Sequence, residues 1–142
     1  MPTRRAEAEW TGDLKGGQGT MALGSGAYRG GYSFGSRFEE APGTNPEELI
    51  GAALAGCYSM ALAAGLGKDG HHPERVATRA KVTVDKVEGG FAITRIELST
   101  EARVPGLDDA TFQKAAEATK RGCPVGKALG GTEITVDAKL LS

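Results

Sequence analysis

Cysteine is scarce in this chain of 142 residues, which has only Cys57 and Cys123. No Cys-x-x-Cys and no His-x-x-x-His spacing surrounds them or the adjacent pair His71-His72, so no zinc pattern is present and no metal is expected. Excess charge is also missing. Seventeen basic residues against eighteen acidic ones leave a formal net charge of −1. No whole-molecule field therefore draws the protein to nucleic acid or anionic lipid, and a small, roughly neutral partner fits better. Apolar runs are expected to fall short of the roughly 18 charge-free residues of a membrane-spanning helix, so no membrane role is assigned. Nor does a signal h-region open the chain, because Arg4 and Arg5 are followed by Glu7, Glu9 and Trp10. The expected compartment is the cytoplasm. Thiols are held reduced there, and a cysteine pair serves catalysis, sensing or metal binding more often than permanent cross-linking. Gly16-Gly17-Gln18-Gly19 lacks the Lys-Ser/Thr pair and following helix of a phosphate loop and reads as a hairpin. With no repeat and no low-complexity linker, residues 1–142 are read as a single domain.

Glycine, by contrast, is abundant: 22 residues, about twice the average share, beside an ordinary apolar content of 39%. Many tight turns follow from that, not disorder. Residues Arg5 to Trp10 alternate, placing Ala6, Ala8 and Trp10 on one face of a half-buried strand. Gly19 to Leu23 and Tyr32 to Phe38 are the expected second and third strands, separated by a turn-rich stretch from Gly24 to Gly31. Asn45, Pro46, Glu47 and Glu48 spell a helix start: a cap, a first-position proline and two acids at the positive dipole end. That helix should run to about Leu66, with alanine and glycine on nearly every side for close packing against another helix or a second subunit. After a polar loop from Gly67 to Pro73, Val76 to Asp85 and Phe91 to Val104 alternate around the Glu88-Gly89-Gly90 turn and should pair antiparallel. Asp108 or Asp109 caps a helix that Gly122 ends, a short helix spans Pro124 to Leu129, and Ile134, Val136, Ala138 and Leu140 share one face of the last strand. The order β-β-β-α-β-β-α-α-β predicts an α+β fold with mainly antiparallel sheets.

The two thiols stand in different settings, Cys57 inside the apolar helical run and Cys123 between Gly122 and Pro124. That asymmetry suggests an attacking thiol and a resolving thiol. An attacking thiol must be ionised, which takes a nearby cation or a helix N-terminus. Cys57 is mid-helix and receives no dipole help, so Arg37, on the strand entering the preceding loop, is the nearest candidate in sequence. Its guanidinium stays charged and can hydrogen-bond both a thiolate and a peroxide oxygen. An acid would hold it in place. Glu48 lies nine residues before Cys57 and so about opposite on the helix, whereas Glu47 lies ten before and only about 80° away. Glu47 is the better candidate, acting through the arginine, since the helical rise separates its backbone from that of Cys57 by about 15 Å. Ile50, Ala53, Met60 and Ala61 share or flank the Cys57 face and offer a dry, apolar substrate wall. Cys123, at the expected N-cap of the short helix, would have its pKa lowered by the dipole. A sulfenic acid on one cysteine condenses with the other only if their Cα atoms come within about 7 Å. Each residue also has an ordinary role: small buried hydrophobe, solvated strand residue, helix starter.

These motifs resemble the OsmC/Ohr family of thiol peroxidases. The likeness rests on the stretch from Asn45 to Ala53, on Cys57 ten residues after Glu47, and on Gly122-Cys123-Pro124-Val125 before a closing alternating strand. It also takes in Trp10 to Asp13, Arg37-Phe38-Glu39 and Asp85 to Thr94. Arg37-Phe38 ahead of the loop is similar to the OsmC branch more than to the Ohr branch. The resemblance implies an intertwined homodimer with strands from both subunits around two central helices and two sites at the interface. It further implies that Cys57 is peroxidatic, Cys123 is resolving, and Arg37 and Glu47 are the activating pair. Organic hydroperoxides would be the substrates, without metal or flavin, and a dithiol such as a lipoylated protein would be the reductant. The alternative from the residues alone is a non-catalytic dimer that binds apolar ligands, or a redox sensor.

Overall fold

Polar-apolar alternation near the start becomes three antiparallel strands, β1 (Ala6–Thr11), β2 (Gln18–Leu23) and β3 (Arg29–Tyr32), in that order across one sheet. In the computed structural model, which describes residues 1–141, this sheet belongs to the first of two compact units, Met1 to Leu49; the second begins at Ile50. The half-buried face expected for Ala6, Ala8 and Trp10 is not formed within the chain. Ala6 and Ala8 are exposed and only Trp10 is partly covered, because a strand face becomes buried only where a second layer covers its sheet.

The third strand also differs from expectation. Instead of spanning residues 32–38, it covers part of the supposed turn and stops at Tyr32, and α1 (Phe34–Phe38) follows. Ser33 is the cause: its hydroxyl accepts from the Ser36 amide while the Ser36 hydroxyl accepts from the Ser33 amide, a reciprocal cap that starts a helix where the apolar pattern suggests a strand. Arg37 thereby lies in the last turn of α1 and not on a strand.

The long helix α2 (Pro46–Lys68) starts as its sequence dictates, with the Asn45 side chain accepting the Glu48 amide at 2.7 Å. Contrary to the expected shortness of the apolar runs, residues 49–67 carry no charge. By length and composition alone α2 could cross a membrane. Its packing in the second unit is nevertheless that of a core helix. Leu54, Tyr58, Leu62 and Leu66 recur every fourth residue and are fully buried, clustering with Ile96, Leu98 and Phe112. Ala52, Ala53, Gly56, Met60, Ala64 and Gly65 are exposed in the single chain.

A second sheet carries this core. β4 (Arg75–Val87) and β5 (Gly90–Arg103) pair antiparallel, as their alternation and the hairpin turn predict. β6 (Glu133–Leu141) pairs with β5 in parallel, Ile96 opposite Ile134 and Leu98 opposite Val136. Parallel pairing needs a crossover, and α3 (Asp109–Thr119) with α4 (Pro124–Ala128) supplies it. Three of the four strand pairings among the described residues are therefore antiparallel. Asp108 caps α3 through the Thr111 amide at 3.0 Å, and Phe112 and Ala116 turn inward.

Tyr58 locks α2 to α3, its hydroxyl donating to the Ala116 carbonyl at 2.8 Å. Burial pushes its phenol far above the ordinary range, and the nearby Glu117 and Cys123 push the same way. Replacing Tyr58 with Phe leaves a buried carbonyl without that donor, a loss of about 1–3 kcal/mol. Urea unfolding of the Tyr58→Phe variant should show that drop in midpoint with an unchanged slope; an unshifted midpoint would contradict the contact.

Candidate active site

Arg37 reaches the first unit's most built polar contact because α1 and the start of α2 are tied together by their connecting loop. Ser36 is buried and donates its hydroxyl to the Thr44 carbonyl at 2.7 Å, while the Asn45 side-chain amide donates to the Ser36 carbonyl at 3.0 Å. Gly43 makes this loop possible with φ +122, and a Cβ on it would stand 2.9 Å from the Gly31 carbonyl. Across the loop, Arg37 donates Nε to Glu47 Oε1 and Nη2 to Glu47 Oε2, each at 2.9 Å, a bidentate fork of the strong, orienting kind. Glu47 is 7% exposed. The competing acid, Glu48, accepts from the Thr44 hydroxyl at 2.8 Å instead. The Phe38 ring supports the guanidinium, 5.1 Å from its centroid. Arg37 Nη1 hydrogen-bonds no group among the described residues.

The same unit holds a cavity that sequence reasoning missed. It is an open cleft of about 220 Å³ lined by Trp10, Leu14, Tyr32, Phe34, Phe38 and the Arg37 side chain, among others. Trp10 meets Tyr32 and Phe34 meets Phe38 in tilted ring pairs at 5.3 and 5.1 Å. The only signal available in the sequence was the aromatics near Arg37, and a strand over residues 32–38 would place Tyr32, Phe34 and Phe38 on one face with Arg37 on the other.

In the second unit the two thiols come together. Both are free. Cys57, on the partly buried side of α2, lies close enough to Cys123 and to the Val125 amide for both to act on its ionisation. Cys123 is buried and caps α4 as its setting predicts, Sγ accepting from the Gly126 amide at 3.3 Å. The Gly126 amide thus bonds Cys123, and the preceding Val125 amide lies near Cys57. α2 gives Cys57 no help from a helix end, as its mid-helix position predicts, and the Val125 amide in the first turn of α4 is the one influence that lowers its pKa. Burial still dominates and pushes the Cys57 thiol above its ordinary value, with the neighbouring Cys123 adding to the rise; the Val125 amide alone opposes them. No cation is among these influences.

Of the apolar wall expected from sequence, Ile50 and Ala61 are partly buried and pack on the core, whereas Ala53 and Met60 are exposed, Met60 at 77%. No group of three or more His, Cys, Asp or Glu side chains among the described residues could hold a metal ion.

Two interacting free thiols on an α+β scaffold mark an oxidoreductase of the cysteine type. A family model described as OsmC-like protein matches residues 38–139. Over 140 residues the chain is 49% identical to the peroxiredoxin OsmC of Escherichia coli (strain K12), covering 98% of this chain and 97% of that one. It is 34% identical over 90 residues to an organic hydroperoxide resistance protein of Xanthomonas axonopodis pv. citri (strain 306), covering 63% and 61%. In fold it resembles an OsmC-like protein from Vibrio cholerae, with a TM-score of 0.76 at 16% identity over 97% of this chain and 99% of that one. The chain belongs to the OsmC-like protein family.

The Arg37–Glu47 fork should be measurable on its own. A double-mutant cycle of Arg37→Ala and Glu47→Ala, followed by urea unfolding, should give a coupling of about 1 kcal/mol, kept modest by the solvent exposure of the arginine. A coupling of zero would mean that the fork does not persist in solution.

Proposed function

We propose that the protein is a thiol-dependent peroxidase that reduces organic hydroperoxides to alcohols, with Cys57 attacking and Cys123 resolving. The observation carrying this reading is the proximity of two free thiols that are remote in sequence, near enough for Cys123 to act on the ionisation of Cys57. The Cys57 thiolate attacks the terminal oxygen of the hydroperoxide. An S–O bond forms, the O–O bond breaks, and the departing alkoxide takes up a proton to leave as the alcohol. The Cys123 sulfur then attacks the sulfenic sulfur; the S–S bond forms, the S–O bond breaks, and the oxygen leaves as water after protonation. An external dithiol, a lipoylated protein being the candidate carried over from the family resemblance, reopens the disulfide by exchange and is itself oxidised.

Because burial raises Cys57 and no cation offsets it within its own unit, activation needs a charge from elsewhere. On the family resemblance we assign that task, and contact with the peroxide oxygens, to Arg37, with Glu47 holding the guanidinium and Nη1 left to act. The aromatic cavity beside Arg37 suits the apolar tail of the substrate, and its volume accommodates a short chain or one ring, being below the about 300–1,000 Å³ of drug-sized pockets. Ile50, Ala53, Met60 and Ala61 would line the wall near the thiol. A second copy of the chain would cover the exposed alanine and glycine face of α2, giving the homodimer, and the cytoplasm is the compartment that keeps both thiols reduced.

Rapid mixing of the reduced protein with an alkyl hydroperoxide should consume peroxide and remove two thiols per chain. Cys57→Ser should be inert, and Cys123→Ser should keep its first turnover; equal residual activity in the two variants would overturn the roles. In Arg37→Ala, the midpoint for Cys57 alkylation should rise in pH, and an unmoved midpoint would separate Arg37 from the thiol. Phe34→Ala should raise KM for an aryl hydroperoxide roughly tenfold, the loss of one apolar contact of about 1.5 kcal/mol, and leave hydrogen peroxide unaffected. A uniform effect on both would remove the tail from that cavity.

A further inference from the structure

α4 has five residues, well under the roughly 12–15 at which an isolated helix becomes marginally stable. Its position must come from what holds it. At the carbonyl end that hold is Arg121. Its Nη1 donates to the Leu129 carbonyl at 3.1 Å and to the Gly126 carbonyl at 3.5 Å, and its Nη2 donates to the Thr132 carbonyl at 2.6 Å. One guanidinium thus gathers three carbonyls from α4 and the turn after it, with its charge at the negative dipole end.

At the amide end the constraint is space. Gly126 donates its amide to Cys123 Sγ at 3.3 Å, and the preceding residue, Val125, lies near enough to Cys57 for its amide to oppose the rise in that thiol's pKa. A Cβ on Gly126 would stand 2.9 Å from the Lys120 carbonyl and 3.2 Å from Cys123 Sγ. The carbonyl belongs to the backbone and cannot swing aside cheaply, so any side chain here pushes the first turn away from the sulfurs.

We propose that Arg121 and Gly126 are positioning residues for disulfide closure: Arg121 fixes α4 by its carbonyl end, and Gly126 lets the amide end close on both sulfurs. This rests on the reading that Cys57 and Cys123 form a disulfide during turnover. Attack on a sulfenic sulfur needs the second sulfur in line and in contact, so a loosened α4 lowers the fraction of time in which closure can occur. Of the two sulfurs only Cys57 takes part in the peroxide step; a loosened α4 weakens the Val125 amide's influence on it, which is smaller than that of burial, so this step slows far less than closure. A sulfenic acid that waits longer meets further peroxide and is oxidised to the sulfinic acid.

The test uses the full reduced chain and its Arg121→Gln, Arg121→Lys and Gly126→Ala variants, mixed first with one equivalent and then with excess alkyl hydroperoxide. Peroxide loss, dimedone trapping of sulfenic acid, thiol loss and the mass of the sulfinic form are followed. Arg121→Gln and Gly126→Ala should keep first-turnover peroxide consumption within about twofold and close the disulfide about tenfold more slowly, with sulfinic acid accumulating. Arg121→Lys should fall between, since an ammonium cannot fork to separated carbonyls. If Arg121→Gln does not fold, Gly126→Ala and Arg121→Lys decide. Closure at the wild-type rate in the folded variants would overturn the proposal, as would parallel loss of peroxide consumption and closure. A wild-type chain that consumes peroxide without forming the disulfide, or consumes none, would overturn the underlying reading and this one with it.

Discussion

The meeting of two sulfurs at the first turn of α4 is the constraint on which the site depends. Cys57 comes from the middle of α2 and Cys123 from the turn after α3; the Gly126 amide bonds Cys123, and the Val125 amide lies near Cys57. Backbone N–H groups at a helix start are unsatisfied by the helix itself, so a polarizable sulfur is a suitable acceptor, and one short helix registers both atoms. The rest of the second unit serves that register. Leu54, Tyr58, Leu62 and Leu66 seat α2, Tyr58 joins α2 to α3 through the Ala116 carbonyl, and the parallel pairing of β6 with β5 returns the chain after α4.

Burial and reactivity pull against each other at Cys57. Removing a thiol from water favours its neutral form, and here desolvation outweighs the single amide that lowers the pKa. A partly buried thiol kept in its neutral form is shielded from indiscriminate reaction. In the first unit the Arg37 guanidinium is held twice over, by the Glu47 fork and by the Phe38 ring. A fixed guanidinium loses less freedom when it engages a ligand than a mobile one would.

Much of this was legible in the chain. Asn45, Pro46 and the two acids locate the start of α2, Asp108 caps α3, Cys123 caps α4, and the alternation of residues 76–85, 91–104 and 134–140 matches strands β4 to β6. The choice of Glu47 over Glu48 followed from helical rotation and agrees with the ion pair. Local capping decided the misreading at residues 32–38, where two serines bond reciprocally and outweigh an apolar run. The run at 49–67, free of charge, carried two meanings that composition cannot separate, a membrane span or a core helix.

The sequence by itself determined where helices and strands begin and end, because caps, breakers and periodicity act over a few residues of backbone. It also set which residue types were available as nucleophile, cation and acid. Only the tertiary structure decided that Cys57 lies near Cys123 and Val125, and that Trp10, Tyr32, Phe34 and Phe38 line an open cleft with Arg37. Those contacts join segments distant along the chain. Their geometry is fixed by the packing of whole faces, and no local stretch of sequence encodes it.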